Sequence, residues 1–184
     1  MHVFTDKGNP IVRQMLLDGG GGILRTDTLY GIVAKADNQE AVDRVYRLKS
    51  RDESKSPIVL ISSIDQIIDD IENTLTNRLK DIWPGSVSVI LPSPDAPVWL
   101  RRDNNSVAYR LPADDKLCAL VEKTCQLIAP SANPEGMPPA MNIEQAQQYF
   151  GEDVDFYIDE GEVISDTPSQ LIRIDKNGDM ERLR

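Results

Sequence analysis

The sequence predicts an α/β protein with one twisted, mixed sheet flanked by helices. Short apolar runs alternate with segments of helical periodicity along the whole chain. The run 57–62 is apolar almost without interruption, which is typical of a strand that is buried on both faces. The runs 87–91 and 106–111 follow one another across a loop rich in Pro and Asp, like the strands of a hairpin. A sheet with both parallel and antiparallel pairs is therefore expected.

Length and composition predict a single globular domain over residues 1–184. The chain has 184 residues, of which 40% are hydrophobic and 27% charged, and no Pro/Ser/Gly linker divides it. Its 20 Lys and Arg against 30 Asp and Glu give a net charge of −10, which argues against general coating of nucleic acids. A local cationic pocket is still compatible with that charge. Without a long apolar run, we expect a soluble, cytoplasmic protein with no membrane partner.

Polar capping residues define most of the predicted helices. Asn9-Pro10 begins the first helix, and the glycines 19–22 end it. Asp37 with Glu40 predicts a capping box, as do Ser63 with Gln66 and Asn142 with Gln145. The predicted helices are 10–18, 38–49, 63–71, 75–83, 115–124 and 143–150. The predicted strands are 23–25, 57–62, 87–91, 106–111, 126–129, 155–158 and 169–174, with a further one at 180–183.

The cysteines and the histidine exclude several kinds of site. Cys118 and Cys125 are too few for a secreted disulfide framework or a four-ligand zinc site, and we expect reduced thiols that serve in packing. The single histidine, His2, lies at a terminus expected to be frayed. A histidine-based catalytic triad and a site with several histidine ligands are therefore not expected.

A cationic cluster is the most unusual local feature of the sequence. It comprises Arg44, Arg47, Lys49, Arg51 and Lys55, at the end of a predicted helix and in the loop before a buried strand. It is either a solvated basic face or an anion site, since loops at such sheet edges often form ligand crevices. The glycines 19–22 match neither the dinucleotide nor the phosphate-loop pattern, so they favour a plain helix end.

Polar side chains also follow or interrupt predicted strands. The hydroxyl-rich segment 26–31 follows a short strand, Ser131 and Asn133 lie in the loop 130–142, and Arg110 lies within an apolar strand. Turn chemistry alone would account for the Thr, Ser and Asn residues. A buried arginine, however, needs water, a carboxylate or a ligand anion.

These segments, taken in order, resemble the YrdC-like family of threonylcarbamoyl-AMP synthases. Six elements match the family pattern over about residues 9–175, and their order is more specific than any one of them. They are Arg25-Thr26-Asp27-Thr28-Leu29-Tyr30-Gly31-Ile32, Lys49-Ser50-Arg51 with Lys55-Ser56-Pro57, Trp83-Pro84-Gly85-Ser86-Val87-Ser88, Val107 to Pro112, Ser131-Ala132-Asn133 with Gly136, and Pro168-Ser169-Gln170-Leu171.

The resemblance implies a single α/β domain with a large, positively charged concave cavity. It implies an enzyme that converts L-threonine, bicarbonate and ATP, with Mg²⁺, to threonylcarbamoyl-AMP and pyrophosphate. That product supplies a tRNA threonylcarbamoyl transferase complex, which is the implied downstream partner. Weak RNA binding is a further implied property. No dedicated nucleophile or base is required, because positioning and electrostatic stabilisation of phosphate charge would do most of the catalytic work.

The family's contacts transfer to ten positions of this sequence. Lys49 and Arg51 are expected to stabilise phosphates. The ATP contacts fall on Lys49, Arg51, Lys55, Ser106, Asn133 and, by a looser match, Arg182. The threonine contacts fall on Thr28, Arg110, Ser131 and Ser169, with Arg110 expected to bind the amino-acid carboxylate.

Several positions depart from the family pattern and leave alternatives open. Arg25 replaces a usual Pro, Gln170 a Thr and Ser106 a common Thr, and Met141 stands where a hydroxyl residue is frequent. One alternative is a carbamoyl-adenylate-forming enzyme that uses another small amine. The other is a non-catalytic RNA-binding or ribosome-associated factor with the same fold. The length predicts the short form of the family, without a second domain.

Overall fold

The computed structural model describes residues 2–165 and 167–184. The strands are β1 (His2–Phe4), β2 (Gly21–Arg25), β3 (Tyr30–Lys35), β4 (Ile58–Leu60), β5 (Val87–Pro92), β6 (Ser106–Arg110), β7 (Leu127–Ile128), β8 (Phe156–Ile158), β9 (Gln170–Ile174) and β10 (Met180–Arg182). The helices are α1 (Pro10–Leu17), α2 (Gln39–Lys49), α3 (Asn73–Ile82), α4 (Val98–Arg101), α5 (Asp115–Thr124) and α6 (Ile143–Phe150). Two 3₁₀ turns cover Ile64–Gln66 and Arg102–Asn104.

These strands form one mixed sheet in the order β1-β8-β2-β3-β7-β4-β6-β5-β9-β10. The parallel pairs are β1 with β8, β2 with β8, β4 with β6, and β5 with β9. The other neighbours are antiparallel. The predicted fold class, an α/β domain with a mixed sheet, is confirmed.

Neighbouring residues of the central strands enter two different apolar cores. Ile32 packs into one core and Val33 into the other, and Val59 and Leu60 divide in the same way. Since successive side chains of a strand point to opposite faces, the two cores lie on the two sides of the sheet. Helices α1 and α5 cover one core, and α2, α3 and α6 cover the other.

Two of the predicted helix starts have the expected side-chain caps. The side chain of Asn9 accepts a hydrogen bond from the amide of Ile11 at 2.8 Å, and that of Asn142 from the amide of Gln145 at 2.9 Å. Helix α2, however, is capped by Asn38 and not by Asp37. Asp37 instead forms an ion pair with Lys35 at 3.3 Å.

The predicted helix 63–71 is wrong. Only the 3₁₀ turn Ile64–Gln66 forms, and the backbone is extended at Ile67. The side chain of Gln66 accepts a hydrogen bond from the amide of Ser62 at 2.7 Å, so it stabilises the turn and not a helix. The isoleucines that suggested helical periodicity pack into the larger core from this irregular segment.

The structure also differs from the sequence-based expectations in three unpredicted elements and in the exposure of one cysteine. Strand β3 and helix α4 were not predicted, and the N-terminal segment expected to be frayed forms β1, where His2 pairs with Phe156. Strand formation there depends on a partner 154 residues away, which local sequence does not show. Both cysteines are free, as expected, but Cys125 is exposed and therefore does not serve in packing.

Among the described residues, no helix is long and apolar enough to cross a membrane.

Replacing Gly22 with alanine should destabilise the fold. A Cβ at this position would lie 2.5 Å from ring atoms of Phe156, which is fully buried in the neighbouring strand β8. Since the ring is enclosed, we expect Gly22→Ala to lower the free energy of unfolding by about 1–3 kcal/mol in urea denaturation. Gly8→Ala is the control, because its Cβ would meet only the exposed carboxylate of Asp6. Equal stability of the two variants would contradict this packing argument.

Candidate functional site

Two adjoining cavities lie along the central strands of the sheet. The larger has a volume of about 630 Å³ and the smaller about 280 Å³, and both are lined by Arg51, Ile58 and Arg184. Residues of β4, β5, β6 and β9 line much of the larger cavity. The smaller cavity lies among the segments that follow β2 and β7, the end of β6 and the residues before β9. A ligand that occupies both would lie beside the two shared arginines.

The four residues predicted to contact threonine all line the smaller cavity. These are Thr28, Arg110, Ser131 and Ser169. Thr28 follows β2, Arg110 ends β6, Ser131 follows β7 and Ser169 precedes β9, so four separate segments supply them. Sheet order brings these segments together, and the smaller cavity has the hydroxyl groups and the cation that were expected.

Arg110 lines the smaller cavity, and within the described residues its guanidinium group lacks some of its hydrogen-bond partners. Its side chain is only 3% exposed, and its Nη2 lies 3.5 Å from Oδ1 of Asp27. Its Nη1 lies 3.4 Å from the hydroxyl of Thr28, and its Nε has no hydrogen-bond partner in the described part of the chain. Burial lowers the pKa of Arg110, although Asp27 opposes that shift. A ligand carboxylate would supply the acceptors that this guanidinium lacks.

Ser169 lines the smaller cavity and forms hydrogen bonds with Arg184, which lines both cavities. Its hydroxyl lies 3.0 Å from the hydroxyl of Ser88 on β5. Its carbonyl accepts hydrogen bonds from Nε and Nη2 of Arg184, at 3.1 and 3.0 Å. Arg184 is therefore fixed at the junction of the cavities, and it leaves Nη1 available for a ligand.

Lys49 and Asn133 organise a loop beside the cavities. Lys49 is 2% exposed, and its ammonium donates to the carbonyls of Ser131 and Asn133, the latter at 2.5 Å. The side chain of Asn133 accepts from the hydroxyl of Ser131 at 2.6 Å and donates to the carbonyls of Pro134 and Met137. Neither Lys49 nor Asn133 lines either of these two cavities. Both stabilise the conformation of the loop 131–137.

The remaining predicted ATP contacts occupy different places. Arg51 lines both cavities and Ser106 the larger one. Lys55 forms an ion pair with Glu135 at the surface, and Arg182 is exposed on β10, away from both cavities. Of the cationic cluster, Arg44 pairs with Asp155 at 2.7 Å, and Arg47 is exposed.

The larger cavity is rich in cationic side chains. Arg51, Arg173, Lys176 and Arg184 line it, together with the single carboxylate of Asp175. Such a local concentration favours an anionic ligand even though the chain has a net charge of −10. In residues 2–165 and 167–184, no group of three His, Cys, Asp or Glu side chains is arranged to hold a metal ion.

Comparison with known proteins decides the family. The model of the Sua5/YciO/YrdC family, described as telomere recombination, matches residues 14–184. The chain belongs to the Sua5/YciO/YrdC family. A threonylcarbamoyl-AMP synthase of Marinobacter nauticus is 31% identical over 170 residues, which cover 89% of this chain and 90% of that protein. The resemblance noted in the sequence is thereby confirmed.

Solved structures of the Sua5/YciO/YrdC family share the fold. Sua5 of P. abyssi complexed with L-threonine superposes with a TM-score of 0.89 at 25% identity and covers 100% of this chain. This chain spans only 57% of the length of that Sua5 chain. YciO of E. coli superposes with a TM-score of 0.85 at 17% identity and covers 100% of this chain and 95% of that one.

Three of the four residues that depart from the family pattern lie outside both cavities, and the fourth, Ser106, lines the larger one. The side chain of Arg25 donates to the carbonyl of Glu160 at 3.4 Å. Gln170 is exposed, and its backbone amide donates to the carbonyl of Ser86. The carbonyl of Met141 accepts from the amide of Val163. None of these three residues lines a cavity, so they give no support to a change of substrate.

Sequence reasoning missed Arg184, Arg173 and Lys176. A signal for Arg184 exists, because the final element of the Sua5/YciO/YrdC pattern contains an arginine and matches this chain only loosely around Arg182. Sequence alone could not choose between two arginines two residues apart. The structure places Arg184, not Arg182, in the lining of both cavities.

The stability of the protein should depend on the titration of Lys49. Burial, followed by the nearby charge of Arg51, lowers the pKa of Lys49 to about 7. Above pH 7 the unfolded chain therefore binds more protons at this lysine than the folded protein, so the free energy of unfolding rises with pH. The contribution is at most about 1.4 kcal/mol per pH unit, and Lys49→Met should remove it.

Urea denaturation between about pH 7 and pH 9 measures this slope. Lys80→Met, on the exposed side of α3, is the matched control and should keep the wild-type slope. Identical slopes for the wild type and Lys49→Met would contradict the prediction, whatever the absolute stability of the variant.

Proposed function

We propose that this protein is a threonylcarbamoyl-AMP synthase that uses L-threonine, bicarbonate and ATP. The observation that carries the proposal is the convergence of Thr28, Arg110, Ser131 and Ser169 on a small cavity that adjoins a larger cationic one. The smaller cavity offers a buried cation and hydroxyls for an amino acid. The larger cavity has the size and charge suited to a nucleotide triphosphate. The similarity to proteins named threonylcarbamoyl-AMP synthase supports the same assignment.

The geometry supports one arrangement of the substrates. The threonine carboxylate would meet Arg110, and the adenosine part of ATP would occupy the larger cavity. Bicarbonate dissociates to carbon dioxide and hydroxide. The threonine amine captures the carbon dioxide as a carbamate and releases a proton, which combines with the hydroxide to give water. A carbamate oxygen then attacks the α-phosphorus, the bond from that phosphorus to the bridging oxygen breaks, and pyrophosphate leaves. The reacting atoms would lie at the junction of the cavities, beside Arg51 and Arg184.

Electrostatic stabilisation by these two arginines accounts for the catalysis that we propose. Phosphoryl and adenylyl transfer depends mainly on positioning and on cations that neutralise developing charge. Within the described residues, Nε of Arg51 is buried without a partner, and Nη1 of Arg184 donates no hydrogen bond. Magnesium would enter with ATP as part of the substrate, since Mg²⁺ is commonly held by phosphates with few protein ligands.

The cellular role is a further part of the proposal. The adenylate product would pass to a tRNA threonylcarbamoyl transferase complex, and the reaction would take place in the cytoplasm. Direct RNA binding would be weak, because the cations that line the cavities are offset by a net charge of −10. The smaller cavity, with a volume of about 280 Å³ and a buried arginine, suits an amino acid and not a nucleic-acid backbone.

Purified protein with labelled L-threonine, bicarbonate, ATP and Mg²⁺ tests the reaction directly. Formation of the adenylate and of pyrophosphate is the expected result. Turnover with another small amine but not with threonine would favour the alternative amine substrate. Tight, salt-sensitive RNA binding without any adenylate would favour the non-catalytic alternative.

Variants of two arginines should affect different substrates. Arg110→Lys keeps a charge beside Asp27 but loses the forked donors, so we expect the KM for threonine to rise by about tenfold or more. Arg51→Ala should chiefly raise the KM for ATP, because it removes a cation from the phosphate junction. Steady-state kinetics with each substrate varied in turn separates the two effects. Wild-type constants in both variants would show that the site residues are wrongly assigned.

The two C-terminal arginines provide a matched pair. Arg184→Ala removes a cation that lines both cavities, whereas Arg182→Ala removes one from the exposed face of β10. We expect Arg184→Ala to lower kcat/KM by about tenfold or more, since a charge-assisted hydrogen bond contributes about 1.5–3 kcal/mol. Arg182→Ala should stay near wild type. If Arg182→Ala lowered kcat/KM and Arg184→Ala did not, Arg182 would be the nucleotide contact.

A further inference from the structure

The loop 51–56 presents Arg51 to both cavities, and most of its internal hydrogen bonds do not involve that side chain. Ser54 donates to the carboxylate of Asp52 through its amide and its hydroxyl, at 2.9 and 2.8 Å. Within the loop, Nη2 of Arg51 donates to the carbonyl of Ser56 at 3.2 Å, and the amide of Lys55 to the carbonyl of Asp52 at 3.2 Å. The Nε of Arg51 is buried without a partner in the described ranges. Contacts from outside the loop must therefore fix the position of this arginine.

Tyr46 contacts the loop from helix α2. Its ring is nearly buried, and the guanidinium carbon of Arg51 lies 5.6 Å from the ring centroid. Its hydroxyl donates to the carbonyl of Lys55 at 2.6 Å. One tyrosine thus contacts the loop twice, through a cation–π contact with Arg51 and a hydrogen bond to the backbone of Lys55.

The turn 101–106 contacts the same loop from a second direction. The hydroxyl of Ser56 donates to the carbonyls of Arg101 and Ser106, at 3.1 and 3.3 Å. The side-chain amide of Asn104 donates to the carbonyl of Ser54 at 2.8 Å and to the Ser56 hydroxyl at 3.2 Å. Ser106, itself in the lining of the larger cavity, is thereby fixed relative to the loop.

Arg102 joins the turn to Tyr46. Its guanidinium carbon lies 4.1 Å from the centroid of the Tyr46 ring, and its Nη2 lies 3.7 Å from the carboxylate of Asp43. Its backbone has φ 49° and ψ −144°, a conformation that glycine adopts easily and an arginine does not. In this strained conformation the side chain of Arg102 stacks on Tyr46, while its Nε and Nη2 are buried without a hydrogen-bond partner in the described residues. The strain is therefore coupled to the contact with Tyr46.

We propose that Tyr46, Arg102 and Asn104 are positioning residues that form a clamp on the loop 51–56. The clamp keeps Arg51 and Ser106, which line the larger cavity, in the arrangement that receives the nucleotide. Binding then requires less ordering of the loop, and affinity is higher for that reason. The inference rests on the proposed function only in naming ATP as the nucleotide.

Arg102→Gly provides the test, because glycine accepts the backbone conformation while the stacking side chain is lost. We expect the Kd of a Mg²⁺ complex of an α,β-methylene ATP analogue, measured by titration calorimetry, to rise by about fivefold to thirtyfold. The Kd of L-threonine should change by less than about twofold, since the four residues assigned to threonine make no hydrogen bond or ion pair with the clamp in the described part of the chain. Hydrogen exchange of the amides in the loop 51–56 should become faster.

Matched variants separate positioning from folding. Arg47→Ala removes an exposed arginine from the same helix and should leave both affinities unchanged. Tyr46→Phe keeps the ring and loses only the bond to Lys55, so it should weaken the nucleotide less than Arg102→Gly does. If Arg102→Gly does not fold, Asn104→Ala supplies an independent disruption. Since Asn104 itself lines the larger cavity, its loss of affinity supports positioning only when hydrogen exchange in the loop 51–56 also becomes faster.

Two results would overturn the clamp. One is a folded Arg102→Gly or Asn104→Ala protein whose nucleotide affinity matches that of Arg47→Ala. The other is an equal loss of nucleotide and threonine affinity, which would indicate only a general structural role. Failure of the wild type to form any adenylate would refute the proposed function alone, because nucleotide affinity is measured separately from turnover.

Discussion

The burial of Lys49 against main-chain carbonyl groups is the constraint on which the site depends. A cation removed from water must be surrounded by oxygen atoms, and here the carbonyls of Ser131 and Asn133 supply them. This contact joins the end of α2 to the loop that follows β7. The amide of Glu135 also donates to the carbonyl of Lys49, so helix and loop are linked in both directions. One wall of the smaller cavity is set by this connection.

The same requirement explains how an acidic chain keeps cationic cavities. Several cations outside the cavities are paired with carboxylates, as Lys7 is with Asp114 and Glu160, at 2.6 and 2.9 Å. Arg51 and Arg184 instead use main-chain carbonyls as partners. A carbonyl orients a guanidinium without cancelling its charge, so the electrostatic field at the junction remains positive.

The order of the sheet decides which polar segments meet. Strand β7 lies between β3 and β4, and β6 lies between β4 and β5. Thr28, before β3, therefore comes within reach of Ser131, after β7, although about a hundred residues separate them in the chain. The parallel pair of β5 with β9 adds Ser169 beside Ser88.

The sequence by itself determined the fold class, most helices and the identity of the residues that meet in the smaller cavity. Helices such as α5 and α6 were readable because their caps and periodicity are local. The six ordered motifs fixed the family. Tertiary structure alone decided that Lys49 and Asn133 shape a loop, that Arg184 and not Arg182 lines the cavities, and that β1 pairs with β8. These outcomes depend on burial and on partners distant in sequence, and a local sequence pattern contains information on neither.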